Sequence, residues 1–122
     1  MIGYTTLGTN DLPRAAAFYD QLLGSLGAKR MMEYPTFIMW TCAPDKPGIA
    51  VIKPYDGKAA TVGNGTMVAL LMDSKEKVNA LHAKAMELGG KDEGAPGPRG
   101  EGFYAAYFRD PDGNKLNAFF MG

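Results

Sequence analysis

The sequence has 122 residues, of which 46% are hydrophobic, and its thirteen basic and thirteen acidic side chains give a formal net charge of zero. This length and composition suit one compact domain with its own hydrophobic core. A balanced charge offers no attraction to nucleic acid or to an anionic membrane surface. No apolar stretch approaches the roughly 20 residues of a membrane span, and no secretory leader is evident, so we expect a cytoplasmic protein without nucleic-acid or membrane partners.

The chain has a single cysteine, Cys42, and a single histidine, His82. An intramolecular disulfide is therefore impossible, and most metal sites and nucleophilic triads lack the side chains they need. We interpret Cys42 as a structural residue. We interpret His82, at the edge of the apolar stripe of a predicted helix, as a surface or boundary residue and not as a general base.

The first half of the chain predicts one strand, one helix and three further strands. β-branched and aromatic residues favour a strand over residues 1–9, and Asn10 with Asp11 can cap a helix that ends near Gly27. Short apolar segments broken by turn residues then predict three strands, over residues 31–34, 37–42 and 49–53.

The second half begins the same order again. We predict a strand over residues 66–72, a capping box from Asp73 and Glu76, and a helix that closes at Gly89 and Gly90. The Gly- and Pro-rich stretch over residues 94–102 is interpreted as a loop. Two final strands, over residues 103–109 and 115–120, flank a tight turn in which Arg109 braces the chain.

The two halves align with a nearly constant offset. Met67 aligns with Tyr4, which lies 63 positions earlier, and Asn117 aligns with Lys53, which lies 64 positions earlier. Such a repeat predicts an α+β fold of two βαβββ modules in tandem, each a curled mixed sheet with a helix on its outer face, together enclosing a shared cup. Module one covers about residues 1–55, a connector about residues 56–64, and module two about residues 65–122.

Two segments resemble a known family. The first runs from Leu7 to Leu12 and continues into Ala17-Phe18-Tyr19-Asp20, and the second is the hairpin from Tyr104 to Leu116. Together with the repeat, they resemble the vicinal oxygen chelate superfamily, which includes glyoxalase I, bleomycin-resistance proteins and extradiol dioxygenases. The resemblance implies two paired modules and, in metal-using members, a divalent ion held by His and Glu side chains on four strands.

The four ligand positions that the resemblance implies carry other residues here. They fall on Tyr4, Lys53, Met67 and Asn117. A divalent ion in an open site needs about three His or carboxylate ligands, and a lysine ammonium opposes it. We therefore predict no metal site and no cofactor, with an atypical divalent metal site as the alternative.

The same positions are candidates for binding an organic molecule. If the resemblance holds, strand alternation places a set of side chains in the cup, and Arg99 could gate an anionic ligand. The alternative is that Tyr4 and Met67 fill a core, while Lys53 and Arg99 are solvated. Without metal, Tyr4 and Lys53 are the acid-base candidates. The predicted ligand-binding residues are Tyr4, Thr6, Lys53, Met67, Arg99, Asn117 and Phe119.

A group of apolar side chains could supply either pocket walls or ordinary sheet core. Only those that share a face with Asn117 or Tyr4 would join the ligand candidates. The group comprises Phe37, Met39, Trp40, Tyr104 and Tyr107.

Three functions follow as hypotheses. The first is a bleomycin-resistance-like module that binds a small organic molecule without metal. The second is an enzyme, lactoylglutathione-lyase-like or a dioxygenase relative, that uses an atypical metal site or metal-free acid-base chemistry. The third is a scaffold for a protein partner. Free sheet edges and helix faces lead us to expect a homodimer.

Overall fold

The computed structural model describes all 122 residues, which form two compact units, residues 1–62 and 63–122. Each unit has the order strand, helix, strand, strand, strand, so the predicted α+β fold of two βαβββ modules is confirmed. Neither helix is long and apolar enough to cross a membrane. The first unit contains β1 (Tyr4–Gly8), α1 (Leu12–Gly24), β2 (Lys29–Tyr34), β3 (Phe37–Thr41) and β4 (Gly48–Ile52). The second contains β5 (Val68–Leu71), α2 (Lys75–Glu87), β6 (Lys91–Pro98), β7 (Phe103–Arg109) and β8 (Lys115–Met121).

The first sheet has the strand order β1-β4-β3-β2, with β1 parallel to β4 and the other pairs antiparallel. Because side chains alternate along a strand, one face packs under α1 and the other does not. Trp40 of β3 lies under α1, where its ring centroid is 5.8 Å from that of Tyr19. We call the face of each sheet opposite its own helix the far face.

Helix α1 begins and ends at the residues that the sequence indicates. The Asp11 carboxylate caps it by accepting a hydrogen bond from the amide of Arg14 at 3.1 Å. At the other end, the amide of Ala28 donates to the carbonyl of Leu23, while Gly27 adopts a φ of 87°. This is the hydrogen-bond pattern of a glycine-terminated helix, in which only glycine accepts the left-handed conformation without strain.

The second sheet has the equivalent order β5-β8-β7-β6, with α2 on one face. Here the expected loop over residues 94–102 is corrected, because most of it belongs to strand β6. Proline lacks a backbone donor, so a proline-rich strand is compatible with a sheet only at its edge or at an irregularity. Strand β6 is one of the two edge strands, and its pairing with β7 shifts register around Gly94 and Gly97.

One prediction for α2 also needs correction. Its N-cap is Ser74, whose hydroxyl accepts from the amide of Lys77 at 3.2 Å, whereas Asp73 forms an ion pair with the Lys77 ammonium. His82 is a boundary residue, one of the two positions that the sequence indicates, with 11% of its side chain exposed. Its Nε2 lies 2.9 Å from Oδ1 of Asp92 and its ring packs against Phe108, so it joins α2 to the second sheet.

The hairpin between β7 and β8 agrees with its sequence interpretation. Arg109 donates to the carbonyl of Gly113 at 3.0 Å, so its predicted role in bracing the turn is confirmed. The same guanidinium pairs with Glu93 across the β6–β7 ladder, and the hydrogen bond from Arg109 holds the pKa of the Glu93 carboxyl below its usual value.

A cluster of Asp20, Arg30 and Trp40 joins α1 to the first sheet at its solvent-exposed edge and gives a pH-dependent prediction. The Asp20 carboxylate accepts from Arg30 at 2.8 and 2.7 Å and from the Trp40 indole at 2.9 Å. The hydrogen bond from Arg30 is the main reason that the pKa of Asp20 is lowered. Because a depressed carboxyl pKa stabilises the folded state only above the unfolded pKa of about 4, this contribution disappears as the pH falls through the folded pKa.

We therefore expect Asp20→Asn to be less stable than the native chain at about pH 7, by a margin that shrinks as the pH falls below about 4. Urea unfolding at several pH values measures the difference. The control is Asp45→Asn, an exposed loop aspartate, whose difference should stay near zero throughout. If the difference in the free energy of unfolding between Asp20→Asn and the native chain does not change with pH, the ionised Asp20 carboxylate does not stabilise the fold.

Candidate functional site

Asn117 lies in the middle of β8 on the far face of the second sheet. It stands opposite Ala69 of β5 on one side and Tyr107 of β7 on the other. The residue is only 2% exposed, and its Oδ1 has no hydrogen-bond partner. A buried carbonyl oxygen without a partner costs roughly 1–3 kcal/mol. The far face therefore carries an acceptor that protein groups do not satisfy.

Two cations lie against the ring of Tyr107, next to Asn117. The Arg99 guanidinium carbon is 5.5 Å and the Lys115 ammonium nitrogen 5.4 Å from the ring centroid, distances typical of cation–π contacts. Arg99 is fixed by the carbonyls of Ala95 at 2.7 Å and Gly97 at 3.0 Å, and it forms no ion pair. This part of the far face is therefore positively charged.

Apolar side chains continue the same face beyond Asn117. Phe119 stacks on Phe103 with ring centroids 5.5 Å apart. Met67 immediately precedes β5, and both it and Leu71 are exposed. The far face of the second sheet thus offers an apolar surface with two cations, and the unpaired acceptor of Asn117 lies just beneath it. We call this surface the Asn117 face; its residues are Met67, Ala69, Leu71, Arg99, Phe103, Tyr107, Lys115, Asn117 and Phe119.

Tyr4 and Thr6 lie on the far face of the first sheet. The Tyr4 ring meets that of Phe37 at 5.7 Å, edge to face, and Phe37 in turn lies 6.3 Å from Tyr34. Half of the Tyr4 side chain surface remains exposed, at 50%, and Thr6 is exposed as well. Both residues are accessible to a ligand on this sheet.

Lys53 does not join that face. It follows the end of β4 and lines a groove together with Leu12 and Ala16 of α1, on the helix side of the first sheet. Tyr4 lies on the opposite side, so the two residues do not form an acid-base pair.

Strand register explains why Lys53 was misplaced. Leu7 pairs with Val51 in the first sheet, and the corresponding pair in the second is Leu70 with Ala118. The residue that corresponds to Asn117 in the first unit is therefore Ala50.

The strand registers also show on which face of its sheet each aromatic or methionine candidate lies. Phe37 and Met39 lie on the far face of the first sheet, and Tyr107 on the far face of the second. Trp40 packs under α1, and the Tyr104 hydroxyl donates to Asn79 of α2 at 2.7 Å. Sequence reasoning missed Lys115, although its position two residues before Asn117 places it on the same strand face.

The side chains present do not fit a divalent metal ion. No three His, Cys, Asp or Glu side chains come together anywhere in the chain. Neither Met67 nor an amide such as Asn117 substitutes for the missing ligands, because Met is too soft a donor for hard ions and one amide oxygen is too few. His82, the one imidazole, is engaged with Asp92 on the helix side of the second sheet.

Residues 1–118 match the family model described as the Glyoxalase/Bleomycin resistance protein/Dioxygenase superfamily. A crystal structure of a glyoxalase/bleomycin resistance protein from Albidiferax ferrireducens is similar, with 35% identity, a TM-score of 0.90, and coverage of 100% of this chain and 99% of the other.

Two more distant structures share the fold. Lactoylglutathione lyase from Agrobacterium tumefaciens is 20% identical, with a TM-score of 0.74 and coverage of 98% and 92% of the two chains. The fosfomycin resistance protein of Listeria monocytogenes is 18% identical, with a TM-score of 0.75 and coverage of 100% and 93%. No curated protein shows significant sequence similarity to the chain.

Proposed function

We propose that this chain, which belongs to the Glyoxalase/Bleomycin resistance protein/Dioxygenase superfamily, binds a small organic molecule against the Asn117 face, without a divalent metal ion. The observation that carries the proposal is the buried Oδ1 of Asn117, which has no hydrogen-bond partner. Buried polar atoms are satisfied in most native structures, and the exceptions often lie where a ligand or water completes them. A hydroxyl or amide group of a ligand would donate to this oxygen.

The surroundings of Asn117 define the kind of molecule that fits. Phe119 and Phe103 offer a stacked aromatic surface, and Met67 adds a flexible apolar side chain that adapts to different shapes. Arg99 and Lys115 favour a ligand that carries negative charge near the Tyr107 ring. We therefore expect a small, partly apolar molecule with a hydrogen-bond donor, and an acidic group strengthens its binding.

Binding is better supported than turnover. The similarity to the Agrobacterium tumefaciens lyase, at 20% identity, extends to the fold and gives no ground for assigning its reaction here. The two acid-base candidates, Tyr4 and Lys53, lie on opposite sides of the first sheet. Tyr4 and Thr6 remain candidates for ligand contact on their own sheet.

The test of the proposal is Asn117→Leu. We expect this change to raise the free energy of unfolding by about 1–2 kcal/mol, because it removes a buried acceptor that has no partner. We also expect the affinity for the ligand to fall at least roughly ten-fold, because the variant loses one hydrogen bond between uncharged groups. A panel of small hydroxy and amino acids, screened by ligand-observed NMR and by amide shifts of β8, measures binding, and urea unfolding measures stability.

The matched control is Asn64→Leu, which makes the same chemical change at an exposed turn residue of the same unit. It should alter neither quantity by more than about 0.5 kcal/mol. A large loss of stability in Asn117→Leu would mean that the amide supports the fold, and unchanged binding would remove Asn117 from the site.

A homodimer and a cytoplasmic location also remain proposals. Leu71 and Met121 leave 68% and 65% of their surface exposed on the far face of the second sheet. Strand β5 is an edge strand of that sheet. Exposed apolar side chains beside an edge strand are features that a second copy of a chain commonly covers.

A further inference from the structure

A groove between α1 and strands β2 and β3 of the first sheet contains none of the residues of the Asn117 face. Its volume is about 510 Å³, within the range of roughly 300–1,000 Å³ typical of small-molecule sites. Leu12 and Ala16 of α1 and Ile38 of β3 form its apolar floor, and Pro35 lies at its rim. We call this cavity the α1 groove; all of its lining residues belong to the first unit.

The charged side chains around the α1 groove differ in whether they already have a partner. Asp20 and Arg30 line it as a closed pair, since both Asp20 oxygens accept from Arg30 and the Arg30 guanidinium also pairs with Glu33 at 2.6 Å. The Lys53 ammonium, in contrast, makes no hydrogen bond and no ion pair. The one uncommitted charge of the groove is therefore positive.

We propose that the α1 groove binds a small organic anion, with a flat apolar body against Leu12, Ala16 and Ile38 and a carboxylate or sulfonate beside Lys53. The apolar floor and the ammonium each contribute modestly to the affinity, because the floor residues are already largely buried and an ion pair that water can reach contributes little. The anionic group selects among ligands of similar shape. A cation gains nothing here, because the only carboxylate of the lining is already paired with Arg30 and Trp40.

The chain contains its own reporter for this site. Trp40 is the only tryptophan. Its indole donates to Asp20 at 2.9 Å, and the Arg30 guanidinium lies over its ring at 5.9 Å. Because Asp20 and Arg30 both line the groove, an aromatic occupant lies within energy-transfer distance of the indole.

The experiment titrates the purified protein with two dyes, anilinonaphthalene sulfonate and its uncharged analogue N-phenylnaphthylamine, and follows the quenching of Trp40 fluorescence. We expect saturable quenching by the sulfonate. Lys53→Gln should weaken sulfonate binding about three-fold and leave the uncharged dye unaffected, as for an ion pair in contact with water. Ala17→Phe, at an exposed α1 residue of the groove wall, should weaken both dyes.

Two controls separate this site from the rest of the molecule. Lys46→Gln, at an exposed loop lysine that does not line the groove, should bind both dyes like the native chain. The second control is the comparison with Ala17→Phe: only the dye binding that this change removes belongs to the α1 groove, so the inference can fail or hold independently of the proposed function. Equal dye binding by the native chain, Lys53→Gln and Ala17→Phe, or an absence of Trp40 quenching, would overturn the inference.

Discussion

Replacement of Asp110 by alanine is expected to lower the free energy of unfolding by about 3 kcal/mol. Its carboxylate is buried and accepts from the amides of Asp112 and Asn114, both at 2.9 Å, and from the Asn114 side chain at 3.0 Å. Alanine leaves these donors without an acceptor, and the Asn114 amide is also buried. Urea unfolding of the purified variant measures the loss.

A second variant tests whether the Asp110 carboxylate acts as the acceptor of these hydrogen bonds. Asp110→Asn keeps one carbonyl oxygen for the two amides but turns an NH2 group toward the Asn114 side chain, where two donors then face each other. Its loss should therefore be smaller than that of Asp110→Ala but clearly measurable. Asp45→Ala, at an exposed loop aspartate, is the control and should stay within about 0.5 kcal/mol. Equal stability of Asp110→Ala and the native chain would show that the carboxylate does not hold the turn.

Local sequence signals predict most of the fold correctly. The capping aspartate Asp11 and the terminal Gly27 define α1 because their effects act within one helical turn. The repeat of the same element order predicts the second unit without any knowledge of contacts. The exception is strand β6, whose prolines indicate a loop when read locally but are tolerated at the edge of a sheet.

The candidate site is only partly predictable from the sequence. Asn117 stands out because an amide among apolar strand residues needs a partner, and the structure leaves its Oδ1 without one. Alternation also brings Lys115 and Phe119 to the same face. The position of Lys53 could not be predicted, since the pairing of β1 with β4 depends on residues more than 40 positions apart and one slip in register reverses the face.

Gly89 and Gly90 are adjacent glycines that the fold requires for different reasons. Replacement of Gly90 by alanine is expected to cause the larger loss of stability. Gly89 has a φ of 91° and terminates α2 as Gly27 terminates α1. Gly90 has no such backbone angle. A methyl group there would lie 2.8 Å from the carbonyl oxygen of Ala85 and 2.9 Å from that of Arg109.

Both of those atoms belong to the backbone and cannot rotate away, so Gly90→Ala must displace α2 from β7. We expect a loss of about 2–3 kcal/mol, against about 1 kcal/mol for Gly89→Ala, where only the backbone conformation is strained. Gly24→Ala is the control, because a methyl group at the end of α1 meets no atom within 4 Å and alanine favours the helix. Thermal and urea unfolding of the three variants measure the order, and a Gly90→Ala variant as stable as Gly24→Ala would contradict the close approach of α2 and β7.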